Sequence, residues 1–186
     1  VSRGLTGENV RLVEAIRLVT AVPTWTATSV DAVRSASRAL EAMDTNGLNP
    51  ALPNFLLGAL YHLELIKTRS GLGFDGALAE KAHRQYMLAY DQVGDNDRLL
   101  ASLLSNLGAL HQLTRNFGVA ATYLEQRSRV GFVTPIDEAM HALALARSLY
   151  YSGEHGRSAD ESGRVPAGLT AQRAAHRVLS LQVKAK

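Results

Sequence analysis

The sequence contains no cysteine, which excludes disulfide bonds and metal sites built from thiolates. Aromatic residues make up only 6% of the chain, whereas alanine and leucine dominate. This balance favours helices packed through small and aliphatic side chains over a β-sandwich. No apolar run approaches the ~20 residues that a membrane-spanning helix needs, so we expect no transmembrane segment.

The chain has no strong excess of one charge sign, because the formal net charge is only +3 and acidic and basic residues are interspersed up to Glu161. A nucleic-acid-binding domain usually concentrates its basic residues on one face, so we expect no nucleic-acid partner. Beyond Glu161 the charged residues are all basic. That stretch is interpreted as the solvated face of a helix, with contact to an acidic partner as the alternative.

The chain starts at Val1 without an initiator methionine or a hydrophobic signal segment. We therefore expect a processed product or a piece of a longer protein. Arginine outnumbers lysine by 16 to 4, which hints at a GC-rich bacterial source. The composition leaves the cellular compartment open.

Apolar residues recur at helical spacing along almost the whole chain, and no alternation typical of strands is found. The pattern predicts helices over about 10–22, 32–43, 53–67, 78–90, 99–113, 118–130 and 135–152, a short helix ending before Pro166, and an amphipathic helix over 169–184. Because the connectors are mostly short, neighbouring helices are expected to form antiparallel hairpins.

Helix starts carry the strongest local signals. Thr134 is expected to cap the seventh helix and Pro135 to occupy its first position, since proline there removes no hydrogen bond. The second helix is expected to be capped by Thr28 or Ser29. The acidic pairs Asp137–Glu138 and Asp160–Glu161 are expected at helix starts, where the helix dipole favours negative charge.

The tetrapeptide Leu-Gly-Ala-Leu occurs twice, at Leu57–Leu60 and Leu107–Leu110, and a ring side chain, Tyr61 or His111, follows each copy. Internal repetition of this kind indicates a repeat architecture. Glycine inside a helix costs about 1 kcal/mol relative to alanine, which is tolerable where a neighbouring helix approaches closely.

The pattern resembles the tetratricopeptide repeat, a helix–turn–helix unit of about 34 residues. In that family the first helix carries Leu-Gly and then an aromatic residue, and the second carries a small residue, an aromatic residue and another small residue. The matching residues are Leu57, Gly58, Tyr61, Ala82, Tyr86 and Ala89 in one unit, Leu107, Gly108, His111, Ala120 and Leu124 in the next, and Ala36, Leu40, Met43, Leu145, Ala146 and Leu149 in weaker units.

The resemblance implies an all-α fold in which three to four antiparallel hairpins stack into an α-α superhelix with a C-terminal helix. The whole chain, 1–186, would form a single domain with units over about 6–47, 51–94, 98–131 and 135–165 and a terminal helix over 168–185. Ala82 is expected opposite Gly58, and Ala120 opposite Gly108. An insertion separates Tyr61 from Ala82, and the small packing residue of the last unit is either Ser158 or Ala159.

In this family the first helices of successive hairpins line a concave groove that binds protein segments. Carried over position by position, the resemblance implies a groove lined by Phe55, His62, Leu63, Asn106, Gln112, Arg147, Tyr150 and Tyr151. Asn106 is the strongest candidate, because its amide offers a donor and an acceptor to an extended peptide backbone. Core packing is the alternative role for the aromatic residues.

No residue pattern indicates catalysis, a cofactor or a metal ion. The six histidines lack the spacing of a zinc protease. The glycine-rich segment 71–76 lacks the Gly-Lys-Ser/Thr ending of a phosphate-binding loop and follows no strand. Asp91, Asp95 and Asp97 lack the central glycine and final glutamate of a calcium loop, so helix capping is the better interpretation.

These observations predict a non-enzymatic scaffold that binds a protein or peptide segment in its groove, as part of a multi-protein assembly. The alternative is a regulatory or sensor module of a longer protein, such as a transcription regulator or signalling protein. Two further possibilities remain open: self-association through apolar edges of the end repeats, and occupation of the groove by the chain's own terminal helix.

Overall fold

The computed structural model describes residues 7–20, 28–44, 48–71 and 73–165. Within these ranges all regular structure is α-helical, which confirms the predicted all-α class. The helices are α1 (Gly7–Thr20), α2 (Val30–Glu41), α3 (Ala51–Thr68), α4 (Gly76–Gln92), α5 (Asp97–Leu113), α6 (Phe117–Ser128), α7 (Pro135–Tyr151) and α8 (His155–Gly163). The predicted terminal helix over 168–185 lies outside the described residues.

The helix starts follow local chemistry. The hydroxyl of Thr134 accepts a 3.1 Å hydrogen bond from the backbone nitrogen of Asp137, and Pro135 is the first residue of α7, as predicted. Ser29, rather than Thr28, caps α2 through a 3.1 Å bond from the nitrogen of Ala32. Proline tolerates any position within the first turn of a helix, which explains why α3 begins before Pro53.

One predicted helix start is wrong. Asp137–Glu138 lies in the first turn of α7 as expected, but Asp160–Glu161 lies towards the C-terminal end of α8. There the Arg164 guanidinium approaches a carboxylate oxygen of Glu161 to 3.2 Å. The charge of Glu161 is therefore balanced by a neighbouring side chain rather than by the N-terminal end of the helix.

The chain divides into two compact units, Val1–Leu110 and His111–Lys186, called here the N-terminal and C-terminal units. The division falls inside α5, and the single domain expected from the sequence remains a prediction. In the N-terminal unit α3 packs against α1, α2 and α4, and α1 also packs against α2. Every residue from Leu56 to Leu65 is buried, so α3 is the central helix of this unit.

Polar side chains join α2 to the buried α3. The carboxylate of Glu64 is largely buried and lies 2.7 Å from the Nε of Arg34. The hydroxyl of Tyr61 donates a hydrogen bond to Glu41. Burial, followed by this carboxylate, raises the pKa of the Tyr61 phenol. Both contacts provide the buried polar groups of α3 with partners.

In the C-terminal unit α7 packs against both α6 and α8. One core cluster joins Ala121 and Leu124 of α6 to Leu145 and Leu149 of α7, and a second contains Ala139, Ala142 and Val165. Ser158 is buried and its hydroxyl donates to the carbonyl of Ala146 at 2.8 Å, whereas Ala159 is exposed. Ser158 is therefore the small packing residue of the last hairpin.

None of the helices in the described part of the chain combines the length and the hydropathy that crossing a membrane requires.

Candidate functional site

Gly58 of α3 lies in close contact with a side chain of α4. A Cβ atom at this position would lie only 2.6 Å from Cδ1 of Tyr86 on α4. Tyr86 is completely buried, so its ring has little freedom to move. The close approach expected at Gly58 is confirmed, but its nearest neighbour is the ring of Tyr86 rather than Ala82.

Three of the predicted groove residues surround Tyr86. The rings of Phe55 and His62 each lie 6.2 Å from its ring, centroid to centroid. Its hydroxyl donates to Oδ1 of Asn106 at 3.3 Å and lies 3.4 Å from Nδ1 of His62. The structure thus brings Phe55, His62 and Asn106 together from α3 and α5, around a tyrosine whose expected role was packing alone.

Burial limits what these residues offer to a partner. The side chains of His62 and Leu63 are only 6% and 4% exposed. Asn106 is half-buried, and its amide nitrogen donates to the carbonyl of Ser102 at 2.9 Å while its oxygen accepts from Tyr86. Each has a packing or hydrogen-bonding role inside the unit, and partner binding by these residues stays a prediction.

The site around Tyr86 carries no charge at neutral pH. Burial lowers the pKa of His62 to about 4, because a buried imidazolium loses its hydration. The same cause raises the pKa of the Tyr86 phenol. The cluster therefore consists of a neutral imidazole, a neutral phenol and an amide, which stabilise the packing of α3, α4 and α5 by hydrogen bonds and ring contacts.

Gln112 also makes its hydrogen bonds inside its unit. Its amide nitrogen donates to the carbonyl of Ala144 at 2.7 Å and to the hydroxyl of Ser148 at 2.8 Å. Ser148 is completely buried. Gln112 thus joins the end of α5 to the middle of α7. Its amide nitrogen is used in these bonds, so the groove role predicted for Gln112 depends on the rest of its side chain.

The remaining three candidates lie at the surface of the C-terminal unit. Tyr150 and Tyr151 are each 57% exposed, and their rings meet at right angles with centroids 5.4 Å apart. Arg147 is exposed one helical turn earlier and makes no ion pair within the described ranges. These side chains are accessible to a partner without any rearrangement.

The two tyrosines belong to a longer row of rings. The ring of Phe117 stacks on Tyr151 at 4.7 Å, and the ring of His155 lies 5.0 Å from Tyr150. We call these four residues, Phe117, Tyr151, Tyr150 and His155, the aromatic row. Phe117 and His155 were not predicted as site residues, because no pattern in the sequence brings the first residues of α6 and α8 to the end of α7.

A serine–histidine contact elsewhere in this unit resembles part of a hydrolytic site. Oγ of Ser128 lies 2.8 Å from Nε2 of His141. However, burial and then the positive charge of Arg127 lower the pKa of His141 to about 4. A general base works best with a pKa near the operating pH, so this imidazole is poorly suited to activate a serine. The contact therefore joins α6 to α7.

The guanidinium beside His141 is itself well packed. Arg127 is buried, donates to the carbonyl of Gly131 and lies over the ring of Phe132, 4.6 Å from its centroid. The ring of Phe132 in turn lies 5.0 Å from that of His141. The guanidinium is thus held by a carbonyl and an aromatic face, an arrangement that organises the α6–α7 connector.

The aspartates of the α4–α5 turn border an open depression lined by Asn49, Pro50 and residues 92–98. Its two asparagine side chains bond to helix starts: Asn96 accepts from the nitrogen of Leu99 in α5, and Asn49 accepts from the nitrogen of Ala51, the first residue of α3. Nowhere in the described residues do three or more histidine, aspartate or glutamate side chains gather as a metal would require.

Comparisons of the chain with protein families, with curated proteins and with solved structures find no match.

Proposed function

We propose that this chain is a helical-repeat scaffold that binds a protein segment and catalyses no reaction. The exposed end of α7 carries the proposal, because Arg147, Tyr150 and Tyr151 lie there at the surface. Tyrosine and arginine are enriched in protein interfaces, and they account for much of the binding energy there. Two adjacent tyrosines that are more than half exposed are therefore best explained by a partner that covers them.

Stacked hairpins of the tetratricopeptide type are the architecture that we propose for this scaffold. The close contact of Gly58 with Tyr86 supports it, since the small residue of one helix receives the ring of the next. The packing of α3 on α1 as well as on α2 and α4 also supports it, because each first helix of a stack touches the preceding first helix. Assemblies of several proteins commonly use such surfaces.

Within this scaffold the eight predicted groove residues divide by accessibility. We assign direct partner contact to Arg147, Tyr150 and Tyr151, which are exposed. Phe55 and Asn106 are half-buried and offer part of their surface. His62 and Leu63 are buried, and the half-buried Gln112 is hydrogen-bonded to α7, so these three position neighbouring helices.

Selection of peptides from a displayed random library on the purified chain tests the proposal. We expect the wild type to enrich a defined set of peptides and the variant Tyr150→Ser/Tyr151→Ser to lose it. Val133→Ser is the matched control, because Val133 is an even more exposed apolar residue of the same unit. Circular dichroism should show that all three chains are equally helical.

Two results would contradict the proposal. Equal enrichment on all three chains would remove Tyr150 and Tyr151 from the binding surface. The absence of enrichment on the wild type would argue against the binding of peptide segments altogether.

A further inference from the structure

The aromatic row crosses the ends of three helices. Phe117 is the first residue of α6, Tyr150 and Tyr151 are the last two of α7, and His155 is the first of α8. Each ring contacts the next, with centroids 4.7 to 5.4 Å apart. The row therefore offers apolar ring faces beside hydroxyl and imidazole groups that can still form hydrogen bonds, which suits a ligand that is partly apolar and partly polar.

Some charged side chains around the row form ion pairs and others do not. Two carboxylates at this end, Glu125 and Glu154, bond to the single guanidinium of Arg157. By contrast, Arg115 and Arg147 are exposed and have no ion pair within the part of the chain that the structure describes. An approaching carboxylate finds unpaired guanidinium groups here, whereas the carboxylates of Glu125 and Glu154 are already bonded to Arg157.

Each of the two unpaired arginines lies close in sequence to a residue of the row. Arg115 precedes Phe117 by two residues, and Arg147 lies one helical turn before Tyr150 and Tyr151. The helix dipoles cancel only in part here, because α6 and α8 begin at the row while α7 ends there. Among the side chains named here, two carboxylates face three guanidinium groups, which leaves an excess of one positive charge.

We propose that the aromatic row, with Arg115 and Arg147, is the docking site for an acidic protein segment that carries an aromatic or other apolar side chain between its carboxylates. The apolar side chain packs on the rings of Tyr150 and Tyr151, and the carboxylates bind the two guanidinium groups. The proposal rests on the scaffold function proposed above and specifies the chemistry of its partner.

Two synthetic peptides of equal length test this chemistry by fluorescence anisotropy. One carries aspartate and glutamate around a single tryptophan, and the other carries lysine and arginine around it. We expect the wild type to bind the acidic peptide and not the basic one. Charge reversal by Arg147→Glu should weaken acidic-peptide binding about tenfold.

Two variants guard against non-specific attraction. Arg129→Glu is the matched control, because Arg129 is an exposed arginine of the same unit that makes no described ion pair, and its reversal changes the net charge equally. We expect this control to bind the acidic peptide almost as tightly as the wild type does. Tyr150→Ser/Tyr151→Ser should weaken binding without any change in charge.

Each contrary result overturns a defined statement. Equal binding of the two peptides, or equal losses with Arg147→Glu and Arg129→Glu, would overturn the acidic partner. So would a failure of both peptides when the displayed library still yields binders, and in these cases the scaffold function would stand. If the library yields no binder and neither peptide binds, the scaffold function fails and the acidic partner fails with it.

Discussion

The two units place tyrosine in opposite environments. Tyr86 of the N-terminal unit is completely buried, whereas Tyr150 and Tyr151 of the C-terminal unit are each 57% exposed. The ring of Tyr86 fills the space that Gly58 leaves, and its hydroxyl is hydrogen-bonded to Asn106. The exposed rings of Tyr150 and Tyr151 instead meet edge to face at a surface. The same residue type therefore stabilises the fold in one unit and is available for recognition in the other.

The comparison extends to the residues around each ring. His62 and Leu63 resemble groove residues in their spacing, yet both are buried, and His62 lies beside Tyr86. Arg147, which has the same predicted role, is exposed beside Tyr150. Accessibility, which depends on what packs against each helix, separates the residues that can bind from those that hold the helices together.

Replacement of Tyr86 should give the largest effect. Tyr86→Ala removes a buried ring and leaves a cavity, so we expect the free energy of unfolding to fall by about 3–5 kcal/mol. Tyr150→Ala, at an exposed position, should change it by less than about 0.5 kcal/mol. Chemical denaturation followed by far-ultraviolet circular dichroism measures both. Similar losses in the two variants would mean that the contrast in burial does not determine stability.

Acidification should destabilise the interior through His62. Its native pKa of about 4 lies below the ordinary value of 6.5, so the unfolded chain binds a proton that the folded chain does not. The contribution of neutral His62 to the free energy of unfolding is therefore fully present above about pH 6.5, and about 3 kcal/mol of it is lost as the pH drops to about 4. Denaturation of the wild type and of His62→Gln at several pH values measures this dependence.

His141 must be separated from this effect, because its lowered pKa acts in the same direction over the same pH range. His141→Gln is therefore the control for His62→Gln. We expect the pH dependence of stability to become shallower in each single variant and shallower still in the double variant. If His62→Gln retained the full wild-type slope, the buried neutral imidazole would be ruled out as its source.

Gly58→Ala tests the close approach directly. Alanine favours the helix by about 1 kcal/mol, but its Cβ would clash with a ring that cannot easily move. We expect a net loss of about 1–3 kcal/mol in the free energy of unfolding, as for other overpacked cores. Gly118→Ala is the control, because Gly118 lies in α6 with no atom within contact distance of an added Cβ. Stabilisation by both substitutions would contradict the close contact.

Substitutions of Gln112 and Arg147 should show the smallest difference in the free energy of unfolding. Gln112→Ala leaves the Ala144 carbonyl and the buried Ser148 hydroxyl without the Gln112 donor, so we expect a loss of about 1–2 kcal/mol. Arg147→Ala should lie within about 0.5 kcal/mol of the wild type, because no described ion pair is lost. Thermal unfolding of both variants distinguishes the two roles, and a larger loss for Arg147→Ala would reverse them.

Much of the local structure could be predicted because its causes act within one helical turn. Thr134 and Pro135 start α7 through contacts with residues close in sequence. Ser29 and Thr28 could not be distinguished, because the choice depends on which backbone angle each residue adopts. The wrong placement of Asp160–Glu161 at a helix start has a similar cause. The first residue of the short helix α8 depends on where the preceding turn ends, and a shift of a few residues moves the acidic pair from one end of the helix to the other.

The candidate site was less predictable. Spacing correctly indicated a close helix contact at Gly58, yet it did not identify Tyr86 as the nearest residue. It also missed Phe117 and His155, which join the row of tyrosines only because α6, α7 and α8 pack together. Contacts between residues far apart in the chain leave no periodic signal in a single sequence.

The sequence by itself determined the all-α class, the approximate helix bounds and the absence of thiol chemistry, because composition, periodicity and capping act locally. The tertiary structure decided which candidate residues are accessible. His62 and Leu63 are buried in the interior, whereas Arg147, Tyr150 and Tyr151 lie at the surface. Burial depends on the packing of whole helices against one another, and that packing is a property of the folded chain rather than of any segment.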